Sequence, residues 1–196
     1  QLTLKEAYYF LLFLLIIGLL ILIKLNQIVI ILGLAIIPLI VLYPYMKRIT
    51  YFPQLFLGII FNWGVLMGYA SIKNTLDPEI FFLYAACIFW TIGYDTIYAH
   101  QDKKTDVKIG IKSTAVLFGK KTKLCLCMLY LLMILNLVST GIVFQLTFSF
   151  YLITTVIFLH LMWQIYTLEI NDPKNCLSRF KSNRWVGLAM LAAIIL

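Results

Sequence analysis

Three aspartates, Asp95, Asp102 and Asp106, follow one another at the end of a long apolar segment. Carboxylates beside hydrocarbon are costly, so acids in this position indicate a functional site. On a continuous helix, residues seven and eleven positions apart return to within about 20° of each other, which predicts that the three carboxylates share one face. Aligned oxygen ligands of this kind suit Mg²⁺ held jointly by protein and by a substrate phosphate. We therefore predict a metal or anion site here.

Cations accompany these acids. Lys108 and Lys112 follow the last aspartate, and the adjacent pair Lys47 and Arg48 stands in another loop between aromatic residues and two prolines. Acids with bases beside them suit a diphosphate, because Mg²⁺ bridges its oxygens while Lys or Arg neutralises the remaining charge. Such a site stabilises diphosphate as it departs, and surrounding hydrocarbon shields a carbocation from water. The alternative for the Lys-Arg pair is a topology-setting role within an interfacial aromatic belt.

The composition is that of a membrane protein. The 196 residues are 63% hydrophobic and 12% charged, and the mean hydropathy is +0.97. Soluble domains hold about 45–50% apolar and about 25% charged residues. Since no polar linker or internal repeat divides the sequence, we predict one membrane domain over residues 1–196. The four cysteines form no metal-ligand pattern and are expected to be packing residues.

The apolar blocks predict an all-α bundle with seven transmembrane segments, since a helix needs about 20 residues to cross a bilayer. The blocks are 7–23, 25–46, 49–72, 80–94 (continuing to about 101), 124–168 and 185–196. The block 124–168 is about twice as long as one span requires, so it is expected to hold two helices that turn near Ser139-Thr140-Gly141 or slightly beyond. The block 185–196 is too short to span alone.

The cations separate between the two ends of these segments. If seven segments alternate, all but two of the 16 Lys and Arg residues lie on the side that receives the N-terminus and the loops 43–53, 100–123 and 169–184. Lys24 and Lys73 lie on the other side. The positive-inside rule places the cation-rich side in the cytoplasm, or in the matrix of a mitochondrion. The aspartates lie on that same side, and the net charge of +8 indicates topology and no nucleic-acid partner.

Other polar residues give weaker signals. Asn62 has two interpretations, a hydrogen bond to a substrate or a bond that joins two helices. The chain has only two histidines, which excludes a multi-histidine di-iron oxidase; His160 is expected to be a packing residue, and His100 lies beside the acids. There is no Gly-rich phosphate loop and no serine nucleophile elbow.

Several stretches resemble the UbiA prenyltransferase superfamily. They are YPYMKR with PQLFLG (43–58), FNWGVLMGYA (61–70) and YDTIYAHQDKKTDVKIGIKSTAVLFG (94–119). The resemblance continues to SNRWVGL (182–188) and so covers nearly the whole chain. It implies a bundle of nine membrane helices around a central cavity. The implied reaction is Mg²⁺-dependent transfer of a polyprenyl group from its diphosphate to carbon 3 of 4-hydroxybenzoate, in ubiquinone biosynthesis.

The resemblance also implies roles for individual residues. Asp102, Asp106 and Asp95 would hold the metal. The implied catalytic residues are Asp102, Asp106 and Arg48. The implied substrate-binding residues are Lys47, Arg48, Asn62, Tyr98, Lys108 and Lys112. The implied partners are polyprenyl diphosphate, 4-hydroxybenzoate and membrane lipid, and the implied location is a bacterial or mitochondrial inner membrane.

The sequence departs from the family pattern in two places. Lys104 and Thr105 stand where many relatives carry further aspartates. The family's first acidic motif, N-D-x-x-D-x-x-x-D, is absent, since Asn171-Asp172 is followed by Pro173-Lys174-Asn175. With seven helices in place of nine, this predicts that the first two helices are missing. The predicted function stays aromatic prenyl transfer, and an inactive fragment of an active enzyme, or half of a split one, is the alternative.

Two other classes are weaker alternatives. In a transporter, intramembrane acids would move ions, but here the acids are confined to one membrane edge. A CDP-alcohol phosphatidyltransferase would carry a D-G-x-x-A-R run that this sequence lacks.

Overall fold

The computed structural model describes residues 3–195, and every regular element in that range is helical. In chain order the helices are α1 Leu4–Leu22, α2 Gln27–Ala35, α3 Ile37–Ile49, α4 Pro53–Phe61, α5 Trp63–Lys73, α6 Ile80–Ala99, α7 Lys103–Lys108, α8 Thr114–Phe118, α9 Thr122–Val143, α10 Phe148–Tyr166 and α11 Pro173–Ile195. A 3-10 turn, Gly119–Lys121, joins α8 to α9. The predicted all-α class is therefore confirmed.

Within residues 3–195, six stretches are long and apolar enough to cross a membrane. They are Leu4–Leu22, Gln27–Ile49, Pro53–Lys73, Ile80–Ala99, Thr114–Val143 and Phe148–Tyr166. The predicted seventh segment, 185–196, begins inside α11 and ends at Leu196, outside the described residues. α11 has 23 residues, enough to cross a bilayer, but its first half carries several cations. The count of seven is thus approximate: the described residues form six candidate spans and one further long helix whose first half is charged.

Two of the spans, Gln27–Ile49 and Pro53–Lys73, are each divided into two helices at a single residue. The first is divided at Ile36, two residues before Pro38, which has no backbone N–H to donate. The second is divided at Asn62, whose backbone leaves the helical region at φ −93° and ψ 5°. The block 124–168, predicted to hold two helices, is divided as expected, because α9 ends at Val143 and α10 begins at Phe148. The turn lies slightly beyond Gly141.

α6 is the central helix of the bundle and contacts α4, α5, α9 and α11. Its close approach to α9 depends on Gly93, because a Cβ atom at that position would lie 2.9 Å from Cζ of Tyr130. Tyr130 is fully buried, and its hydroxyl donates to Oε1 of the buried Gln164 at 2.8 Å. Nε2 of Gln164 donates in turn to the Arg179 carbonyl at 2.9 Å. A chain of contacts therefore ties α6 to α9, α10 and α11.

The predicted continuous helix from Asp95 through Asp106 is wrong. α6 ends at Ala99, and a turn separates it from α7, which begins at Lys103. The turn is held from outside, since His100 Nε2 lies 2.9 Å from Oγ1 of Thr122 in α9. The sequence pattern continues across this point, whereas the structure has a turn there, with a tertiary hydrogen bond beside it.

We predict that Gly93→Ala destabilises the protein, because the added methyl group overpacks the contact with Tyr130. Overpacking of this kind costs about 1–3 kcal/mol. The measurement is the thermal unfolding midpoint in detergent micelles. The matched control is Gly68→Ala in α5, where a Cβ atom meets nothing within 4 Å and alanine has the better helix propensity. A Gly93→Ala protein as stable as the wild type would contradict the prediction.

Candidate functional site

A cavity of about 200 Å³ lies at the cation-rich end of the bundle, and we call it the polar cavity. α3, α4, α6, α7 and the segment before α8 form its wall. The lining residues are Tyr43, Lys47, Gln54, Asp95, Tyr98, Ala99, Asp102, Asp106, Ile111, Lys112 and Ser113. Three acids and two lysines thus meet in one small volume.

The turn after α6 brings the acids together by a different route from the one predicted. Asp95 lies in the last turns of α6, whereas Asp102 directly precedes α7 and Asp106 lies in its first turn. The chain reverses at Gly110, whose φ of +72° is a conformation that favours glycine. The N–H of Ile111 then donates to the Asp106 carbonyl at 2.9 Å. The acids share a cavity although they do not share a helix.

The segment after α7 is attached to the end of α3. The backbone N–H of Lys112 donates to the Lys47 carbonyl at 2.8 Å. Its side-chain Nζ donates to the Ile49 carbonyl at 3.1 Å and lies 5.5 Å from the centroid of the Tyr51 ring. Because these bonds fix the two lysines relative to one another, both cations line the polar cavity.

Gln54 lines the polar cavity and was missed by the sequence analysis. Its side chain is 2% exposed, and its Oε1 accepts from the N–H of Thr114 at 3.0 Å. Asp95 lines the same cavity. The sequence signal for Gln54 was a single amide side chain directly after Pro53 at the start of an apolar helix. Gln54 therefore joins α4 to α8 at the cavity wall.

The acids of the polar cavity repel one another. Burial raises the pKa of Asp106, and the neighbouring Asp102 adds to this rise, while the positive charge of Lys47 opposes it. A cation bound in the cavity would relieve this repulsion.

The donor set fits Mg²⁺ shared with a phosphate. Within residues 3–195, no group of three or more His, Cys, Asp or Glu side chains is close enough to hold a metal by itself. Mg²⁺ seldom needs such a cage, because it commonly binds one or two carboxylates together with substrate phosphates and water. Asp95, Asp102 and Asp106 offer carboxylate oxygens, and the two lysines suit the phosphate.

Three of the residues predicted for the site lie outside the polar cavity. Arg48 and Lys108 are exposed and are not among the lining residues, so their binding roles stay predictions. Asn62 lies between α4 and α5, where its Nδ2 donates to the Cys87 carbonyl at 3.2 Å and to Thr91 Oγ1 at 2.8 Å. These bonds to α6 match the helix-joining interpretation of Asn62. The other six predicted residues line the cavity: Lys47, Asp95, Tyr98, Asp102, Asp106 and Lys112.

The apolar spans and this cavity define a multi-span helical membrane protein with a polar site at one end of the bundle. The chain belongs to the UbiA prenyltransferase family, which it matches over residues 1–190.

Similar proteins with assigned names include two mitochondrial ones and one from a plant. The chain is 46% identical over 197 residues to a protein of Aedes aegypti named "4-hydroxybenzoate polyprenyltransferase, mitochondrial", covering 100% of this chain and 45% of that protein. For the protein of the same name from Bos taurus the identity is 46%, over 90% of this chain and 48% of that protein. The 4-hydroxybenzoate geranyltransferase 1 of Lithospermum erythrorhizon is 40% identical, over 97% of this chain and 62% of that protein. The chain spans about half the length of the curated relatives it matches most strongly.

Two solved structures share the fold. One is described as the apo structure of a UbiA homolog from Aeropyrum pernix K1, with a TM-score of 0.82 and 22% identity over 99% of this chain and 73% of that one. The other belongs to a study of digeranylgeranylglyceryl phosphate synthase, with a TM-score of 0.75 and 17% identity over 99% of this chain and 70% of that one. At these identities the likeness shows the fold alone.

We predict that the protein loses folding stability in acid because of His100, which lies at the end of α6. Burial, aided by the charge of Lys103, lowers the pKa of His100 to about 4. The unfolded chain binds this proton near pH 6.5, so between pH 6.5 and 4 the unfolded state holds more protons and stability falls as the pH drops. Below the folded pKa no further loss arises from this residue.

The check is the thermal unfolding midpoint in detergent at several pH values between 7.5 and 4. We expect the midpoint of the wild type to fall across this window more than that of His100→Asn, which keeps a polar group near Thr122 but does not titrate. Identical pH profiles for the two proteins would show that His100 is not the responsible group.

Proposed function

We propose that this chain acts in the Mg²⁺-dependent transfer of a polyprenyl group from its diphosphate to the aromatic ring of 4-hydroxybenzoate, in ubiquinone biosynthesis. Membership of the UbiA family and the names of the similar proteins support the proposal. The observation that carries it is the polar cavity, where three carboxylates and two lysines meet at one end of an apolar bundle. Carboxylates for a metal and cations for phosphate oxygens are what a prenyl diphosphate requires.

The residues of the polar cavity divide into two roles. Asp102, Asp106 and Asp95 would hold Mg²⁺, while Lys47 and Lys112 bind the diphosphate oxygens. When bound, Mg²⁺ supplies positive charge that stabilises the departing diphosphate. The two lysines also supply positive charge that stabilises the departing diphosphate. The backbone hydrogen bond between Lys47 and Lys112 fixes their positions before any ligand binds.

The proposed reaction begins with cleavage of the bond between C1 of the prenyl group and the diphosphate oxygen, which keeps the electron pair. The ring carbon beside the phenol group then attacks the allylic cation at C1, and a carbon–carbon bond forms. The proton on that ring carbon passes to an oxygen of the released diphosphate, which restores the aromatic ring. The apolar helices around the site exclude water that would otherwise capture the cation.

The proposed location is the mitochondrial inner membrane. The names of the insect and bovine relatives contain the word mitochondrial, which favours this membrane over a bacterial inner membrane. The cation-rich loops would then face the matrix, and so would the polar cavity, since it lies among those loops.

We predict that Asp102→Asn lowers Mg²⁺-dependent prenyl transfer by about 100-fold or more, because it removes a charged ligand at the point where charge develops. The measurement is the formation of prenylated 4-hydroxybenzoate in membranes that contain the protein. The matched control is Asp172→Asn, an exposed acid on the same side of the bundle that lies outside the polar cavity. Unimpaired turnover by Asp102→Asn would refute the proposed role.

A second prediction concerns Lys47, whose charge faces the diphosphate. Lys47→Gln should weaken binding of a prenyl diphosphate by about tenfold or more, since hydrogen bonds to charged groups contribute about 1.5–3 kcal/mol. Binding in the presence of Mg²⁺ is measured directly, so the result does not depend on turnover. Lys104→Gln serves as the control, because this lysine is exposed beside the site and is not part of the cavity lining. Equal losses in both variants would mean that only the general positive potential matters.

A further inference from the structure

A shallow groove of about 430 Å³ lies on the surface of α11, and we call it the cationic groove. Its lining residues are Lys174, Leu177, Ser178, Lys181, Ser182, Arg184 and Trp185. In the described part of the chain, three cations and no acid thus line this groove. The groove favours an anion, because neighbouring positive charges repel one another and an anion between them relieves the repulsion.

The cationic groove faces away from the helical bundle. Lys181 and Trp185 follow Lys174 by seven and eleven residues in α11, so both side chains point within about 20° of the direction of Lys174. Cys176 and Asn183 are buried and lie on the opposite side of the same helix. The groove is therefore open to the surroundings of the bundle and not to its interior.

The cationic groove lies where α11 meets the edge of the membrane. From Trp185 to Ile195 the helix carries no charged residue, and all of its cations precede Trp185. Cζ of Arg184 lies 4.8 Å from the centroid of the Trp185 ring. Tryptophan is enriched at membrane–water interfaces, and the positive-inside rule assigns the charged half of α11 to the cation-rich side. These features indicate that the groove lies at the depth of the lipid headgroups.

An apolar groove of about 90 Å³ continues from Trp185 along the uncharged half of α11, against α10. Its lining residues are Val156, Ile157, His160, Trp185, Val186 and Ala189. Trp185 is common to both grooves. A phospholipid has its parts in the same order, a charged phosphate followed by acyl chains, whereas a free phosphate would use only the cationic groove.

The other charged groups at the start of α11 have partners elsewhere. Oδ1 of Asp172 accepts from the backbone N–H of Lys174 at 2.9 Å, and Asp172 does not line the cationic groove. Arg179, the remaining cation of the helix, lies with its Cζ 4.2 Å from the centroid of the Trp163 ring. The charge that an anion would meet in the groove is therefore that of Lys174, Lys181 and Arg184.

We propose that the cationic groove binds the phosphate of an anionic phospholipid and that an acyl chain of this lipid lies in the apolar groove beside Trp185. Lys174, Lys181 and Arg184 neutralise the phosphate, and the exposed Ser178 hydroxyl supplies a hydrogen-bond donor. Basic pockets on membrane helices at the cytoplasmic or matrix edge are typical sites for anionic headgroups. The site is separate from the polar cavity, with which it shares no lining residue.

The test measures lipid binding by native mass spectrometry of the full chain released from detergent micelles. The wild type and the double variant Lys174→Gln with Lys181→Gln are titrated with phosphatidylglycerol, which is anionic, and with phosphatidylcholine, which has no net charge. We expect the double variant to lose about tenfold or more in affinity for phosphatidylglycerol, because each cation near an anionic lipid contributes about fivefold. Its affinity for phosphatidylcholine should be unchanged, which also shows that the variant is folded.

The matched control is Lys120→Gln with Lys121→Gln, which removes two exposed cations of the predicted loop 100–123 that do not line the groove. This control should bind phosphatidylglycerol as the wild type does. Glycerol 3-phosphate, which carries the phosphate without acyl chains, should not displace the lipid from the wild type at equal concentration.

Four results would overturn the proposal. They are normal binding of phosphatidylglycerol by the groove variant, equal losses in the groove and control variants, equal losses for the two lipids, and displacement of the lipid by glycerol 3-phosphate. The same spectra report the oligomeric state, so a wild-type dimer that the groove variant lacks, with unchanged lipid binding, would assign the groove to a second copy of the chain instead. Prenyl transfer is not measured, so the outcome does not depend on the proposed function.

Discussion

The polar cavity depends on the attachment of the segment after α7 to the ends of α3 and α4. The N–H of Lys112 bonds the Lys47 carbonyl, and the N–H of Thr114 bonds the Gln54 side chain. Without these bonds Asp102 and Asp106 would lie on a free loop in water, where the interactions of a carboxylate with a neighbouring charge or a metal ion are weak. The bonds hold them against the end of α6 instead, so that Asp106 is partly removed from solvent and its pKa rises.

One helix positions part of the polar cavity relative to the rest of the bundle. α6 places Asp95 and Tyr98 against the cavity. Its rigidity follows from close packing on α9 at Gly93 and from the hydrogen bond between Trp90 and α11. A shift of α6 would therefore move Asp95 and Tyr98 together, which keeps their spacing constant.

The sequence predicted the features that composition and periodicity control. Long apolar runs gave the spans, and the turn between α9 and α10 followed from length alone. The acids could be recognised because carboxylates are rare beside hydrocarbon. The end of α6 could not be predicted, since the helical pattern continues to Asp106 and the bond between His100 and Thr122 at the turn is a contact with a distant part of the chain.

Residues whose roles depend on tertiary contacts were also beyond the sequence. Lys47 and Arg48 are adjacent, but side chains one position apart on a helix point about 100° away from each other, and Lys47 alone lines the cavity. Gln54 resembles any polar residue at a helix start, and its role at the cavity wall depends on the bond from the N–H of Thr114, sixty residues away.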